Sequence, residues 1–245
     1  MTAMRRWVGA HPWAFAVLAW VAHLAVLVVV SRVLPVWAPD AFPELGATVV
    51  NLAGIAFGLA VVAALGWWRR SGVVRLAPRR AAWTVLPLML MPLSYLAFGV
   101  HGSVGAWLGG LALYVALGVN EELVNRGVIL GALLRRGRLT AVLGSAVLFG
   151  VGHAVGGLFF GRDWFSTGPQ ILSSVAYGIA VGAVRVRIGT IWPLALFHAL
   201  DDLVLRQANV PWWWHLVLLF GNLGYGWWLL RGQAPDGAAA LTRPR

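Results

Sequence analysis

Asn120-Glu121-Glu122-Leu123-Val124-Asn125-Arg126 is the stretch that decides how this chain folds, because it sets two carboxylates and a guanidinium among apolar residues. The preceding residues 104–119 carry no charge, and residues 127–134 are apolar again. Each ionised group within a bilayer costs at least about 2.5–3.5 kcal/mol on insertion scales. Other groups of the protein must therefore compensate for these charges.

Helical spacing separates the two glutamates. Glu122 and Arg126 are four residues apart, so they can pair on one helix face. Glu121 lies about 100° further round a regular helix, which leaves it without a partner of its own. A structural ion pair is sufficient to explain Glu122 and Arg126, and Glu121 could instead extend towards the cytoplasmic interface.

The composition is typical of a polytopic membrane protein. Of the 245 residues, 60% are hydrophobic and 11% are charged, and the mean hydropathy is +0.78; soluble domains have about 25% charged residues. The absence of cysteine excludes disulfides and thiolate metal sites. All nineteen basic residues are arginine, which with the abundant alanine, glycine and valine suggests a bacterial source.

Eight apolar stretches are long enough, or nearly so, to cross a bilayer core of about 30 Å. They predict an all-α, polytopic membrane protein with about eight transmembrane helices around an intramembrane polar cavity. The predicted spans are 12–33, 46–68, 82–100, 104–134, 139–160, 170–184, 190–205 and 210–230. Residues 1–11 are predicted to be a cytoplasmic N-terminal segment, residues 12–231 the transmembrane domain, and residues 232–245 a disordered cytoplasmic tail.

The arginines predict the orientation. With the N-terminus inside, fifteen of nineteen fall in cytoplasmic segments, three fall outside, and Arg126 lies within the membrane. This bias follows the positive-inside rule and places both termini in the cytoplasm, in a bacterial inner membrane. A net charge of +11 distributed in this way indicates the lipid bilayer as a partner and gives no reason to expect nucleic acid.

Two further polar clusters lie in apolar spans. His153 follows a glycine-rich stretch that contains Gly150 and Gly152, and such glycines allow membrane helices to pack closely. His198 and Asp202 are four residues apart and share a helix face, while Asp201 points elsewhere and approaches the outer interface. Turned inward, the three spans bring their ionisable groups to one polar cavity.

These residue types suit the activation of water. A carboxylate in an apolar pocket can act as a general base, and histidines can share the water or stabilise an oxyanion. A divalent metal ion such as zinc, held by Glu121, His153, His198 and Asp202, is chemically reasonable as well. The remaining histidines are interpreted as structural. Asn120 and Asn125 could form hydrogen bonds that support the site, and neither is included among the candidate site residues. Those histidines are His11, His23, His101 and His215.

Three motifs occur in order, each in a hydrophobic span: Glu121-Glu122-x-x-x-Arg126, Phe149-x-x-x-His153 and His198-x-x-x-Asp202. Together they resemble the CPBP family, which comprises CAAX prenyl endopeptidases and bacteriocin-processing relatives. The resemblance covers residues 121–202 and implies intramembrane endoproteolysis of a peptide or membrane-protein substrate.

The resemblance also implies a role for each matching residue. Glu121 corresponds to the glutamate that activates water, assisted by His153, while Glu122 and Arg126 hold the helix in place. His198 corresponds to the histidine on the oxyanion side.

Asp202 stands where the family commonly has asparagine. An ionised aspartate cannot donate a hydrogen bond to an oxyanion. Asp202 is therefore protonated, orients His198, or belongs to a metal site. The family has been described both as metalloproteases and as glutamate proteases, and either mechanism stays open from the sequence.

Two other classes of function remain open. One is a non-catalytic membrane scaffold or immunity protein. For His198 and Asp202 alone, the simpler alternative is a plain intrahelical pair at the external interface. The other is a proton-coupled transporter that uses Glu121, His153 and His198 as a relay, although the sequence shows no internal duplication of the kind that transporters often have.

Overall fold

The computed structural model describes residues 3–37 and 43–231, and within these ranges the chain forms helices and no β-strand. The predicted tail at 232–245 lies outside the described residues. The helices are α1 (Ala3–Ala10), α2 (Pro12–Trp37), α3 (Pro43–Leu65), α4 (Arg79–Ala82), α5 (Leu86–Tyr95), α6 (Val104–Glu121), α7 (Leu130–Leu133), α8 (Arg138–Gly152), α9 (Ala154–Phe159), α10 (Trp164–Ile188), α11 (Trp192–Arg206) and α12 (Trp212–Arg231). A π-helical segment, Glu122–Ile129, joins α6 to α7.

Five helical runs among the described residues are long and apolar enough to cross a membrane. They are Pro12–Leu34, Glu44–Leu65, Val104–Arg136, Arg138–Phe159 and Trp164–Ile188. The all-α membrane fold is therefore confirmed in this coarser form, while the predicted count of eight is not. The stretch predicted at 82–100 is a shorter apolar run, Trp83–Phe98. Helix α11 has 15 residues, about 22 Å at 1.5 Å per residue, which is less than the bilayer core.

Helix α10 is longer than the predicted span 170–184 because both of its ends are capped. The Asp163 carboxylate accepts hydrogen bonds from the Ser166 backbone N–H at 2.9 Å and the Ser166 hydroxyl at 2.7 Å. These bonds hold the pKa of Asp163 below its usual value and start the helix at Trp164. Gly189, with φ of 74°, ends it in the left-handed conformation that glycine adopts without strain.

Two layers of contact place the central helices. Helix α6 packs against α3 and α11, and α10 packs against α8 and α12. Glycines set the closest approaches: a Cβ on Gly118 would lie 2.6 Å from the Ala195 carbonyl oxygen, and one on Gly150 would lie 2.8 Å from that of Ile171. The predicted role of Gly150 in close helix packing is therefore confirmed.

The basic segments meet at one end of the helices. Arg70 Nε donates a hydrogen bond to the Gly131 carbonyl oxygen at 2.9 Å, and Arg185 Nη2 donates one to the Arg70 carbonyl oxygen at 2.9 Å. Arg135 packs over Gly9 of α1. Burial, together with the charge of Arg135, lowers the pKa of Arg70 to about 10. Segments predicted to share one side of the membrane thus contact each other.

Replacing Gly118 with alanine should separate α6 from α11. Its new Cβ would meet the backbone of α11, which cannot rotate away as a side chain can, so we expect a loss of about 1–3 kcal/mol. Thermal unfolding in detergent measures this loss. Gly221→Ala in α12 is the matched control, since nothing lies within 4 Å of its Cβ position; equal melting temperatures for the two variants would contradict the packing assignment.

Candidate active site

The π-helical segment begins at Glu122, directly after Glu121 ends α6. Hydrogen bonds from residue i to i+5 put more residues into each turn, so successive side chains advance through a smaller angle than in an α-helix; such bulges are frequent at functional sites. The Asn125 side chain donates a hydrogen bond to the Glu121 carbonyl oxygen at 2.9 Å. Ser145 Oγ donates to the Asn125 carbonyl oxygen at 2.9 Å, which ties the segment to α8.

His198 of α11 lies between the two glutamates. Its Nδ1 is 3.0 Å from Glu122 Oε1, and its Nε2 is 3.4 Å from Glu121 Oε2. The expectation that Glu121 lacks a partner is therefore wrong. It assumed a regular, isolated helix, whereas the π-helical segment and the close approach of α11 at Gly118 let one imidazole contact both carboxylates.

Asp202 completes the cluster from one turn further along α11. Its Oδ2 is 3.6 Å from His198 Nε2, which confirms the predicted i,i+4 pair. The Glu121 and Asp202 side chains are 22% and 30% exposed, whereas that of Glu122 is fully buried. The accessible edge of the cluster is thus the Nε2 side of His198.

Glu122 and Arg126 form the predicted ion pair, with Oε1 and Nη1 3.2 Å apart and both side chains fully buried. The guanidinium also lies over the ring of Phe149, with Cζ 4.3 Å from its centroid, and 5.8 Å from that of Tyr177. Aromatic faces attract a desolvated cation. The pair is therefore stabilised by α8 and α10 as well as by its own helix.

His153 stands beside this cluster and is linked to it through Phe149. The Phe149 ring centroid is 5.0 Å from that of His153 and 6.1 Å from that of His198. His153 Nδ1 lies 3.0 Å from the Phe149 carbonyl oxygen, which can only accept a hydrogen bond. Nδ1 therefore carries the hydrogen, and in the neutral ring Nε2 keeps a lone pair, 3.4 Å from Ser174 Oγ.

The metal site considered from the sequence does not form as a unit. No group of three or more His, Asp or Glu side chains within residues 3–37 and 43–231 is arranged to hold a metal ion. His153 is linked to the cluster through the Phe149 ring, whereas Glu121 and Asp202 contact His198 directly. Within the described residues, the four side chains therefore do not converge as one set of metal ligands.

Asp201 differs from its predicted position near the outer interface. Its side chain is buried and lies close to the hydroxyl of the buried Tyr95 of α5. Burial of an acidic group requires such a partner. Tyr95 lies in the apolar stretch before α6, and the packing of α5 against α11 places Asp201 beside its hydroxyl.

Three polar side chains near the site had no motif to identify them. They are Ser174 beside His153, and His23 and Asn51 on α2 and α3, which both bond Asn120. Each is polar and lies inside an apolar span, which is a signal in itself, because polar groups at membrane depth need partners. His23 was interpreted only as structural, yet it lies close enough to Glu121 for an electrostatic interaction.

Comparison with known proteins finds a family model over the part of the chain that carries this site. Residues 103–204 match a family model described as type II CAAX prenyl endopeptidase, Rce1-like. The match starts at Ser103, whose hydroxyl caps α6, and ends within α11, so it contains all six candidate residues. No curated protein matches the chain. The family match of residues 103–204 to the Rce1-like, type II CAAX prenyl endopeptidase model is thus consistent with the CPBP family that the motifs resemble.

Proposed function

We propose that this protein is an intramembrane endopeptidase that hydrolyses a peptide bond with a water activated by glutamate and histidine, as in CAAX-type proteases. The family match of residues 103–204 supports the class of reaction. The observation that carries the proposal is the difference between the two glutamates around His198. Glu121 is accessible and Glu122 is buried with Arg126, so a base and a supporting ion pair occupy adjacent positions.

In the proposed first step, the Glu121 carboxylate takes a proton from water while the water oxygen attacks the carbonyl carbon of the peptide. The carbonyl π electrons move to its oxygen and form a tetrahedral oxyanion. His153 Nε2 supports this step, because its lone pair can accept a hydrogen bond from the same water. The Phe149 carbonyl oxygen orients that imidazole by accepting a hydrogen bond from Nδ1.

His198, in its protonated form, stabilises the oxyanion. Nδ1–H then donates to Glu122, and Nε2–H is directed to the accessible edge, where Glu121 and Asp202 lie. Asp202 orients this imidazole and balances its charge. Of the three roles open to Asp202, the 3.6 Å distance to Nε2 supports this one.

In the second step the oxyanion collapses and the carbon–nitrogen bond breaks. The proton held by Glu121 passes to the leaving nitrogen, which departs as an amine, and the new carboxyl group belongs to the other product. All atoms of the water are thus accounted for. No step requires a metal ion.

Glu121, Glu122 and Arg126 lie within a helical run of 33 residues, Val104–Arg136, that is long enough to span a bilayer. We infer that the substrate is a peptide or membrane protein whose scissile bond reaches membrane depth. The clustered arginines further support a cytoplasmic location for both termini, in a bacterial inner membrane with about eight spans. In this proposal the run Trp83–Phe98, α11 and α12 bring the five longer runs to eight.

Replacing Glu121 with glutamine should abolish cleavage. The amide has the same shape but cannot take a proton from water, so turnover should fall by at least about 100-fold. Mass spectrometry of the host membrane and secreted peptides should show termini that depend on the wild-type protein, compared with the variant at matched expression. Identical peptide sets from the two folded proteins would reject proteolysis and favour a scaffold.

Replacing Glu122 with glutamine should act on stability. This change leaves the Arg126 charge buried without its partner, which costs about 3–5 kcal/mol. Thermal unfolding should therefore separate Glu122→Gln from Glu121→Gln, whose side chain is partly exposed and should melt near the wild type. The division of roles fails if Glu121→Gln is the less stable of the two.

Removal of divalent metal should leave the activity in place. We expect a farnesylated CAAX peptide to be cleaved at an unchanged rate after dialysis of the purified protein against a chelator. Elemental analysis of the same sample checks that metal is below one equivalent per ten chains. Activity lost on dialysis and restored by zinc would contradict the glutamate mechanism.

A further inference from the structure

A line of side-chain hydrogen bonds crosses α2, α6 and α3 one residue before the accessible glutamate. His23 Nε2 is 2.9 Å from Asn120 Oδ1, and Asn120 Nδ2 donates to Asn51 Oδ1 at 2.9 Å. Asn51 Nδ2 in turn donates to the Ala47 carbonyl oxygen at 2.9 Å. Each of the three side chains comes from a different helix.

The last acceptor sets the direction of the whole line. A backbone carbonyl can only accept, so Asn51 presents its amide nitrogen to Ala47 and its oxygen to Asn120. Asn120 must then donate to Asn51 and accept from the imidazole. His23 consequently carries its hydrogen on Nε2, and the position of the Asn120 amide is determined from both sides.

Packing holds the same amide in place. Asn120 and His23 are both buried, and the amide lies directly over Gly54 of α3. A Cβ on Gly54 would come within 2.6 Å of Asn120 Cγ. The glycine therefore provides the space that the Asn120 side chain occupies.

Asn120 precedes Glu121, at the point where α6 gives way to the π-helical segment. From the other side, Asn125 bonds the Glu121 carbonyl oxygen. The backbone of Glu121 is thus held before and after the residue, and α6 cannot rotate about its axis without breaking the bonds to His23 and Asn51. Rotation of α6 would move the Glu121 carboxylate away from His198 Nε2.

We propose that Asn120, held by His23 and Asn51, is a positioning residue for Glu121. This inference rests on the proposed peptidase function. The amide does not touch the reacting atoms in this assignment; it determines where the general base stands. A displacement of about 1 Å in such a group can lower the rate by about 100-fold.

The test measures kcat and KM separately on a fluorescent, farnesylated CAAX peptide with the purified full-length protein. Asn120→Ala should lower kcat by about 10- to 100-fold and leave KM within about twofold, because the variant disturbs the base and leaves the bound peptide alone. Asn222→Ala is the matched control, since Asn222 is an asparagine buried in α12. We expect this control to keep the wild-type kcat even where its melting temperature falls as far.

A double variant separates positioning from general packing. Gly54→Ala should displace the amide and lower kcat by a similar factor, while leaving the three polar side chains of the line and the six candidate site residues chemically intact. Once Asn120 is alanine, the added methyl group has room. The double variant Gly54→Ala/Asn120→Ala should therefore show the kcat of Asn120→Ala alone, which is the non-additivity expected of two residues that share one contact.

Each outcome decides between the two proposals. The positioning role is overturned if Asn120→Ala keeps the wild-type kcat, or if the double variant is slowed by the product of the two single effects. In either case, cleavage that depends on Glu121 still supports the peptidase function. Equal loss of kcat in Asn120→Ala and Asn222→Ala also overturns it. No difference between wild type and Glu121→Gln overturns the peptidase function and, with it, this inference.

Discussion

The buried ion pair between Glu122 and Arg126 is the interaction on which the rest of the site depends. A guanidinium with a fully buried side chain must be neutralised where it stands, and Glu122 Oε1 and the face of Phe149 together do this. The same carboxylate oxygen also holds Nδ1 of His198. One interaction thus fixes the helix that carries Glu121, the aromatic ring beside His153, and the orientation of the second imidazole.

Close helix packing brings these interacting side chains together in one site. Gly118 brings α11 against α6, Gly150 brings α10 against α8, and Gly54 gives room to the Asn120 amide. Small residues allow membrane helices to approach one another, and polar side chains then find partners across the contact. Polar side chains of α2, α3, α6, α8, α10 and α11 thus find partners across these contacts.

Much of the site could be predicted from residue types and spacing. An ionisable group in an apolar span has a high free-energy cost and therefore indicates a function, which identified Glu121, His153 and His198. The i,i+4 spacing identified the partners of Glu122 and His198. Helix boundaries were less accurate. The span predicted at 170–184 missed the cap at Asp163, and the span predicted at 82–100 proved shorter, because hydropathy averages over the turns and caps that end a helix.

The amino-acid sequence by itself determined the all-helical membrane character and the identity of the six candidate residues, since both follow from composition and from local spacing. Only the tertiary structure decided that His198 contacts both glutamates, that Asp201 turns inward to Tyr95, and that Asn120 is held by His23 and Asn51. These contacts join residues from 69 to 106 positions apart in the sequence. The contacts of the two glutamates also depend on a local change in helical pitch. Periodicity along one helix contains no information about which face of another helix it will meet.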